Sequence, residues 1–482
     1  MKSFKAAKFI LVVVLVAVAA GAIYLLRPAS GPAEKDIRSI ILISIDTCRA
    51  DYLGCYGYPR RITPNIDKFA EESILFNNVI SPVPITLPAH SSMLTGTTPP
   101  YHGVHYNYDY KLDKSNVTLA EILKDNGFTT GAVISSFILD SQFGLDQGFD
   151  YYHDRFVNTP NTNIDNERKG EEASRLAIQW LEKNKSKKSF LFLHYYDPHH
   201  NYEPPEPFAT NFKDNLYAGE ISYTDYCIGK VIKKLKSMSM YESSLIIITG
   251  DHGEMLGEHG EVTHMYFIYQ SAVKVPLLLK LPGRSKPERT DETVGIIDIV
   301  PTICGALEIA APSGLQGKDL LEKSRQDKNR YIYCESLYPT KYQANSLLGV
   351  VTEGLKYIQT TRPELYDLTN DPQESVNLVG KQPQRARILQ DKLKQILEQN
   401  IRKRGPDSKL ELSEEDKRRL ESLGYVASSV AEDFSFDQSK EDPKDLIDFH
   451  QKNARAHQLI LKNNTKTPKN FVSRCCWNGR KL

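Results

Sequence analysis

A chain of 482 residues with 40% hydrophobic and 25% charged side chains can bury one large core or two ordinary ones. Its 61 basic residues balance 60 acidic ones, and no basic cluster is interleaved with aromatics. That argues against a nucleic-acid or other polyanionic partner.

At the N-terminus, "MKSFKAAK" carries three lysines ahead of the 18 uncharged residues "FILVVVLVAVAAGAIYLL". The run just reaches membrane-spanning length, and the lysines predict a cytoplasmic N-terminus. A cleavable signal peptide is the alternative, because "AVAAGA" holds small-residue cleavage candidates. The extension "IYLL" favours an uncleaved anchor over residues 1–30. Both readings put the body outside the cytoplasm, on the periplasmic or outer face of a membrane. "PASGPAEKD" then reads as a linker.

"IRSIILISID" is a continuous apolar run ending in an acid, the pattern of a strand buried on both faces of a parallel sheet. It recurs in "KSFLFLHYYDPHH" and "SSLIIITGDHG". Between these runs, "VTLAEILKDNG" opens with a capping box, Thr118 to Glu121, and stops at Gly127. "NERKGEEASRLAIQWLEKNK" and "NLYAGEISYTDYCIGKVIKKLKSM" are longer amphipathic helices. Strands alternating with helices predict an α/β fold with a mostly parallel sheet. From about residue 325, "NRYIYCES", "SLLGVVTEG", "LKYIQTT" and "ELYDLTNDPQE" read as short strands of a smaller antiparallel sheet. Two exposed helices follow, the second capped by Ser413. The expected divisions are 38–320 for a catalytic domain, 321–402 for a C-terminal subdomain and 403–482 for a helical, polar tail with a truncated end. Seven scattered cysteines show no zinc-module spacing and leave one disulfide open.

In parallel sheets, ligands gather at the carboxyl ends of the strands. Here those ends carry Asp46; His194, Asp197, His199 and His200; and Asp251 with His252. Asp46, Asp251 and His252 offer two carboxylates and an imidazole to one divalent cation. Zn2+ or Mn2+ suits this set, whereas Ca2+ prefers more oxygens. In "ISPVPITLPAHSSMLTG", Pro88 suits the first turn of a helix that Gly96 ends, with Thr86 at its N-terminus. A metal could lower the pKa of that hydroxyl, making Thr86 both ligand and nucleophile.

"ISIDTCRADYLGCYGYPRRITPNIDKFAEESILFNN", "TLPAHSSMLTGTTPPYHGV", "HYYDPHHNYEPP", "TGDHGEMLGEHGEVTH" and "ELYDLTNDPQESVNL" together resemble the sulfatase family of the alkaline phosphatase superfamily. The resemblance runs from about residue 38 to 380. It implies an alkaline-phosphatase-like three-layer sandwich with a small C-terminal sheet and one divalent metal. The family converts a Cys or Ser within C/S-x-P-x-R to formylglycine. That slot here reads Thr86-Leu87-Pro88-Ala89-His90, so the resemblance implies an unmodified Thr nucleophile, as in phosphodiesterase and lipid phosphoethanolamine transferase branches.

A sulfated threonine lacks the second hydroxyl that lets a formylglycine hydrate expel sulfate, whereas a phosphothreonine opens to in-line water. A phosphate-type ester is therefore favoured over a sulfate ester. The resemblance also points to His199 and His264 for the leaving group and charge, the latter where many sulfatases have a lysine. His102 falls within a family motif, and His90 takes the arginine slot. His105 and His200 read as structural, Lys111 and Lys274 as solvated. The expected substrate is a small-molecule, glycan or lipid ester. The alternatives are an extracytoplasmic phosphoethanolamine-type transferase and a catalytically inactive binding protein on the same scaffold.

Overall fold

The computed structural model describes residues 37–156, 166–322, 330–402, 409–423 and 429–462. The apolar run 9–26 lies outside them, as do Cys475 and Cys476. Among the described residues, no helix is long and apolar enough to cross a membrane. The described cysteines, Cys48, Cys55, Cys227, Cys304 and Cys334, are free.

Nine strands make the large sheet: β1 (Ser39–Ile45), β2 (Ile74–Ile80), β3 (Thr129–Val133), β4 (Tyr151–His153), β5 (Ser189–Tyr195), β6 (Ser244–Gly250), β7 (Lys274–Val275), β8 (Leu277–Lys280) and β9 (Glu288–Gly295). They run in the order β4-β3-β5-β1-β6-β8-β2-β7, with β9 paired to β2. The segment from β4 to β6 is all parallel; β8 reverses direction against β6. β1 is buried along its whole length because the sheet is covered on both faces. Its Ile40 and Leu42 join one core cluster, and Ile41, Ile43 and Ile45 join the other. The first cluster includes the apolar side chains of α1 (Thr86–Thr95) and α2 (Leu119–Asp125). The second packs α3 (Gly170–Asn184) and α4 (Leu216–Ser237). This is the expected three-layer sandwich.

A second sheet of four antiparallel strands follows: β10 (Ile332–Ser336), β11 (Leu347–Thr352), β12 (Leu355–Gln359) and β13 (Glu364–Asp367). The helix α5 (Pro383–Asn400) buries Leu389, Leu393 and Leu397 against it. Beyond lie α6 (Glu414–Ser422), capped by Ser413 as read from the sequence, and α7 (Ile447–Lys462). The described residues from Ile37 onward fall into one compact unit that includes the small sheet. Buried Lys356 fastens that layer to the large one: its ammonium meets Glu374 at 2.9 Å and the Ile268 carbonyl.

Candidate active site

The parallel register builds the centre of the site. Ile45 of β1 stands beside Gly250 of β6 and Tyr195 of β5. The next residues on β1 and β6, Asp46 and Asp251, therefore leave the sheet side by side. Asp46 is anchored by its N–H to the Tyr195 carbonyl at 2.9 Å. One oxygen of Asp251, Oδ1, accepts from the His252 N–H at 2.7 Å and the Thr47 N–H at 3.1 Å. His252 Nδ1 lies 2.9 Å from the Gly253 carbonyl, so that nitrogen carries the proton and Nε2 keeps its lone pair. Nε2 sits 3.3 Å from Asp251 Oδ2 and 3.6 Å from Asp46 Oδ1.

Thr86 enters from the other side. Helix α1 is buried throughout and ends at Gly96, whose φ of 68° needs the left-handed region that glycine tolerates. Its first turn turns Thr86 Oγ1 toward His252 Nε2, 3.4 Å away. The Leu87 N–H of the same turn donates to Asn107 Oδ1 at 2.8 Å, while Asn107 Nδ2 is buried without a partner.

The cluster fits a cation on its own terms. Asp46, Asp251 and His252 each offer one ligand atom, all within 4.8 Å of one another. Both oxygens of Asp46 and Oδ2 of Asp251 are buried without a hydrogen bond. Burial pushes the Asp46 and Asp251 carboxyls up, and the charge of Asp46 adds to the rise at Asp251. Two carboxylates so enclosed need a compensating positive charge. The same burial drives His252 well below its ordinary value, leaving its imidazole neutral, as a ligand must be.

The remaining histidines divide. The His264 ring tilts against that of His252, with centroids 4.7 Å apart, and meets that of His199 edge-on at 4.9 Å. Its Nδ1 meets Glu254 Oε1 at 3.1 Å, and its Nε2 is buried without a partner. His199 lies on Tyr196, 4.4 Å between centroids, with Nδ1 2.6 Å from the His200 carbonyl. His90 is enclosed beneath the cluster. Its ring nitrogens meet Ser44 Oγ and the Thr86 carbonyl at 2.9 and 2.8 Å, and Nδ1 is 3.5 Å from Asp251 Oδ2. That ring supports the acids from below rather than facing a substrate.

His102 is not brought to the cluster. Its nitrogens are taken by Ser92 Oγ at 2.9 Å and the Val104 N–H at 3.1 Å. His105 pairs with buried Glu335 at 2.6 Å, as befits a structural residue. Lys274, expected to be solvated, is instead partly buried and donates to Asn78 at 3.2 Å. Burial lowers its ammonium below the usual lysine value.

Sequence reasoning missed three residues here, Asn107, Glu254 and Arg49, and placed a fourth, His194, at a strand end without a role. Asn107 and Glu254 have been described; His194 Nε2 approaches Asp46 Oδ2 to 3.3 Å, with burial pushing that imidazole down to about 3. Arg49 binds Asp51, Glu258 and the Glu254 carbonyl, tying together the loops that follow β1 and β6. Arg49 and Glu254 stand inside motifs already singled out, which was the available signal.

The sulfatase family matches residues 38–309, and the C-terminal part of the N-sulphoglucosamine sulphohydrolase family matches 257–403. An ulvan-active sulfatase of Formosa agariphila is 26% identical over 71% of this chain and 77% of its own length. Arylsulfatase A of Homo sapiens is 24% identical over 74% and 86%. Among solved structures, the phosphonate monoester hydrolase of Agrobacterium radiobacter superposes with a TM-score of 0.65 at 18% identity, covering 78% of this chain and all of that one. A protein bound to its substrate D-glucosamine-2-N,6-O-disulfate gives 0.64 at 19%, covering 75% and 97%. The acids, the imidazole and the helix-borne hydroxyl all lie within the first match, which spans more than half of the 482 residues: the chain belongs to the sulfatase family of ester hydrolases.

Proposed function

We propose that this hydrolase cleaves phosphate- or sulfate-type esters through Thr86, with phosphoesters favoured. The observation that carries the reading is the 3.4 Å approach of Thr86 Oγ1 to His252 Nε2, beside Asp46 and Asp251. A divalent cation held by these four side chains, Zn2+ or Mn2+ by their mix of oxygen and nitrogen, would acidify the hydroxyl and polarise the ester.

The chain's own residues do the rest. The N-terminus of α1, with Leu87 held by Asn107, presents its positive end to the anionic group. Thr86 Oγ1 attacks in line, the bond to the alcohol oxygen breaks, and the group passes to the threonine. His264 and His199 stand beside His252 to meet the departing oxygen and its charge. Water then attacks the phosphothreonine, releasing phosphate and restoring the hydroxyl. A sulfated threonine has no elimination route and would require direct attack at sulfur.

Among the similar proteins named above are an ulvan-active sulfatase, a protein whose substrate is D-glucosamine-2-N,6-O-disulfate and a phosphonate monoester hydrolase, which supports a glycan, lipid or small-molecule ester as substrate. Residues 1–30 are proposed to anchor the enzyme on the extracytoplasmic face.

The test is a panel of aryl sulfate, phosphate mono- and diesters and phosphonate esters. Thr86→Ala should abolish turnover, and Thr86→Ser should retain part of it. Activity that survives Thr86→Ala sinks the nucleophile, and a strong preference for sulfate overturns the substrate preference.

A further inference from the structure

The short loop after His252 is closed on itself. The Met255 N–H donates to the Thr263 carbonyl at 2.7 Å, and the Gly257 N–H to the Glu261 carbonyl at 2.9 Å. The closure sets the flanking residues, Glu254 and His264, opposite each other, with Nδ1 and Oε1 3.1 Å apart. Both side chains are buried. Neither end is free to swing. The Glu254 carbonyl accepts from Arg49 Nη1 at 3.1 Å, and Arg49 is itself gripped by Asp51 and Glu258. The His264 ring is wedged between those of His252 and His199. Buried Glu261 fixes the far side of the loop by accepting from the N–H groups of Tyr266 and Phe267, each at 2.9 Å.

We infer that Glu254 is a positioning residue: its carboxylate accepts the Nδ1 proton of the His264 imidazolium and holds that ring so that Nε2–H passes its proton to the oxygen of the departing alcohol, leaving the imidazole neutral. An imidazole with one nitrogen committed to a carboxylate keeps a fixed ring plane, and only its other nitrogen remains for substrate. In His264 that other nitrogen is buried and unpartnered, on a ring whose centroid lies 4.7 Å from that of His252. A polar atom so placed carries a desolvation cost unless something arrives to bond it. The inference rests on the ester-cleaving site proposed above, but it concerns the leaving oxygen and not the attacking one.

The probe is a series of aryl phosphate esters whose leaving groups run from 4-nitrophenol to unsubstituted phenol. A nitrophenolate departs without a proton, whereas a phenolate gains from one. His264→Ala should steepen the dependence of kcat/KM on leaving-group acidity. Glu254→Gln should steepen it in the same direction, losing about 10-fold more on phenyl than on 4-nitrophenyl ester, a part of the roughly 100-fold low end of general-acid effects because the ring itself remains. The double variant should lose no more than His264→Ala alone, since the two residues act as a unit.

Losses that add, or a Glu254→Gln slope equal to that of wild type, overturn the inference. So does loss of bound cation in Glu254→Gln, measured by elemental analysis, which would make Glu254 a support of the metal centre. If Glu254→Gln fails to fold, His264→Ala still decides: an unchanged slope removes the leaving-group contact altogether. Turnover persisting in Thr86→Ala would refute the threonine nucleophile while leaving the slope test intact.

Discussion

Asp46→Asn separates the electrostatics of the cluster from its catalysis. In cation-free protein, burial raises the carboxyls of Asp46 and Asp251, so the native pair keeps a proton that the unfolded chain has released. A carboxyl raised on folding contributes stability below its ordinary value, near 4, and loses it as pH climbs toward the raised value. One proton costs about 1.4 kcal/mol per pH unit, hence about 3 kcal/mol between pH 5 and 7. Removing the Asp46 charge relieves Asp251, whose Oδ1 already accepts two backbone N–H groups that favour its ionised form.

The buried histidines work in the opposite direction. His90, His194, His199 and His252 are lowered by burial, so stability falls as pH drops through their ordinary range. Wild type and variant share them, and the comparison cancels them. At about 2 cal/mol/K per residue, 482 residues convert 1 kcal/mol to about 1 °C of melting temperature. Calorimetry in chelator should therefore show Asp46→Asn gaining about 3 °C on wild type between pH 5 and pH 7. Added Zn2+ or Mn2+ should stabilise wild type and not the variant. A gap independent of pH, or equal stabilisation of both proteins by the cation, refutes the reasoning.

Gly253→Ala would place a methyl group 2.1 Å from the Ser271 carbonyl oxygen, forcing the turn that aims His252 to move. Cation affinity by calorimetric titration should fall at least about tenfold, as expected for a displaced ligand support, and an unchanged affinity contradicts the fit. Asn107→Ala strips the acceptor from the Leu87 N–H and should cost about 1 kcal/mol, whereas Asn107→Asp should restore that stability but repel an anionic substrate. Equal kcat/KM for Asn107→Asp and wild type would remove Asn107 from the substrate's surroundings. Lys356→Met leaves Glu374 buried without its ammonium and should cost about 3–5 kcal/mol, read as a melting temperature lower by a similar number of degrees.

What could be read in advance follows from where each side chain points. β1, β5 and β6 are visible as unbroken apolar runs because both faces are covered. Their parallel order then brings Asp46 and Asp251 together with no further information. β2, β8 and β9 left no such trace. "ILFNNVI" and "ERTDETVG" mix polar residues into strands that are partly exposed, and "LLLK" is too short to show a period. In the helices, the Thr118–Glu121 capping box and Gly127 bracket α2 correctly, because those signals are local to the backbone they cap.

Histidine roles are a different matter, since a ring's partners are set by tertiary packing. His102 and His264 both stand in motif-like stretches, yet one bonds Ser92 and Val104 while the other reaches Glu254 beside His252. Nothing in the spacing distinguishes them. The position of His264 depends on the closure from Met255 to Thr263, and that of His90 on one helical turn below Thr86. The members of the cluster, by contrast, arrive by separate routes. The acids are delivered by strand register, the imidazole by a glycine turn and the hydroxyl by a helix N-terminus, three devices that do not require one another's side chains. On the mechanism proposed above, changing the residue at position 86 would alter the second half of the reaction, the fate of the covalent ester, and leave the geometry of the first attack in place.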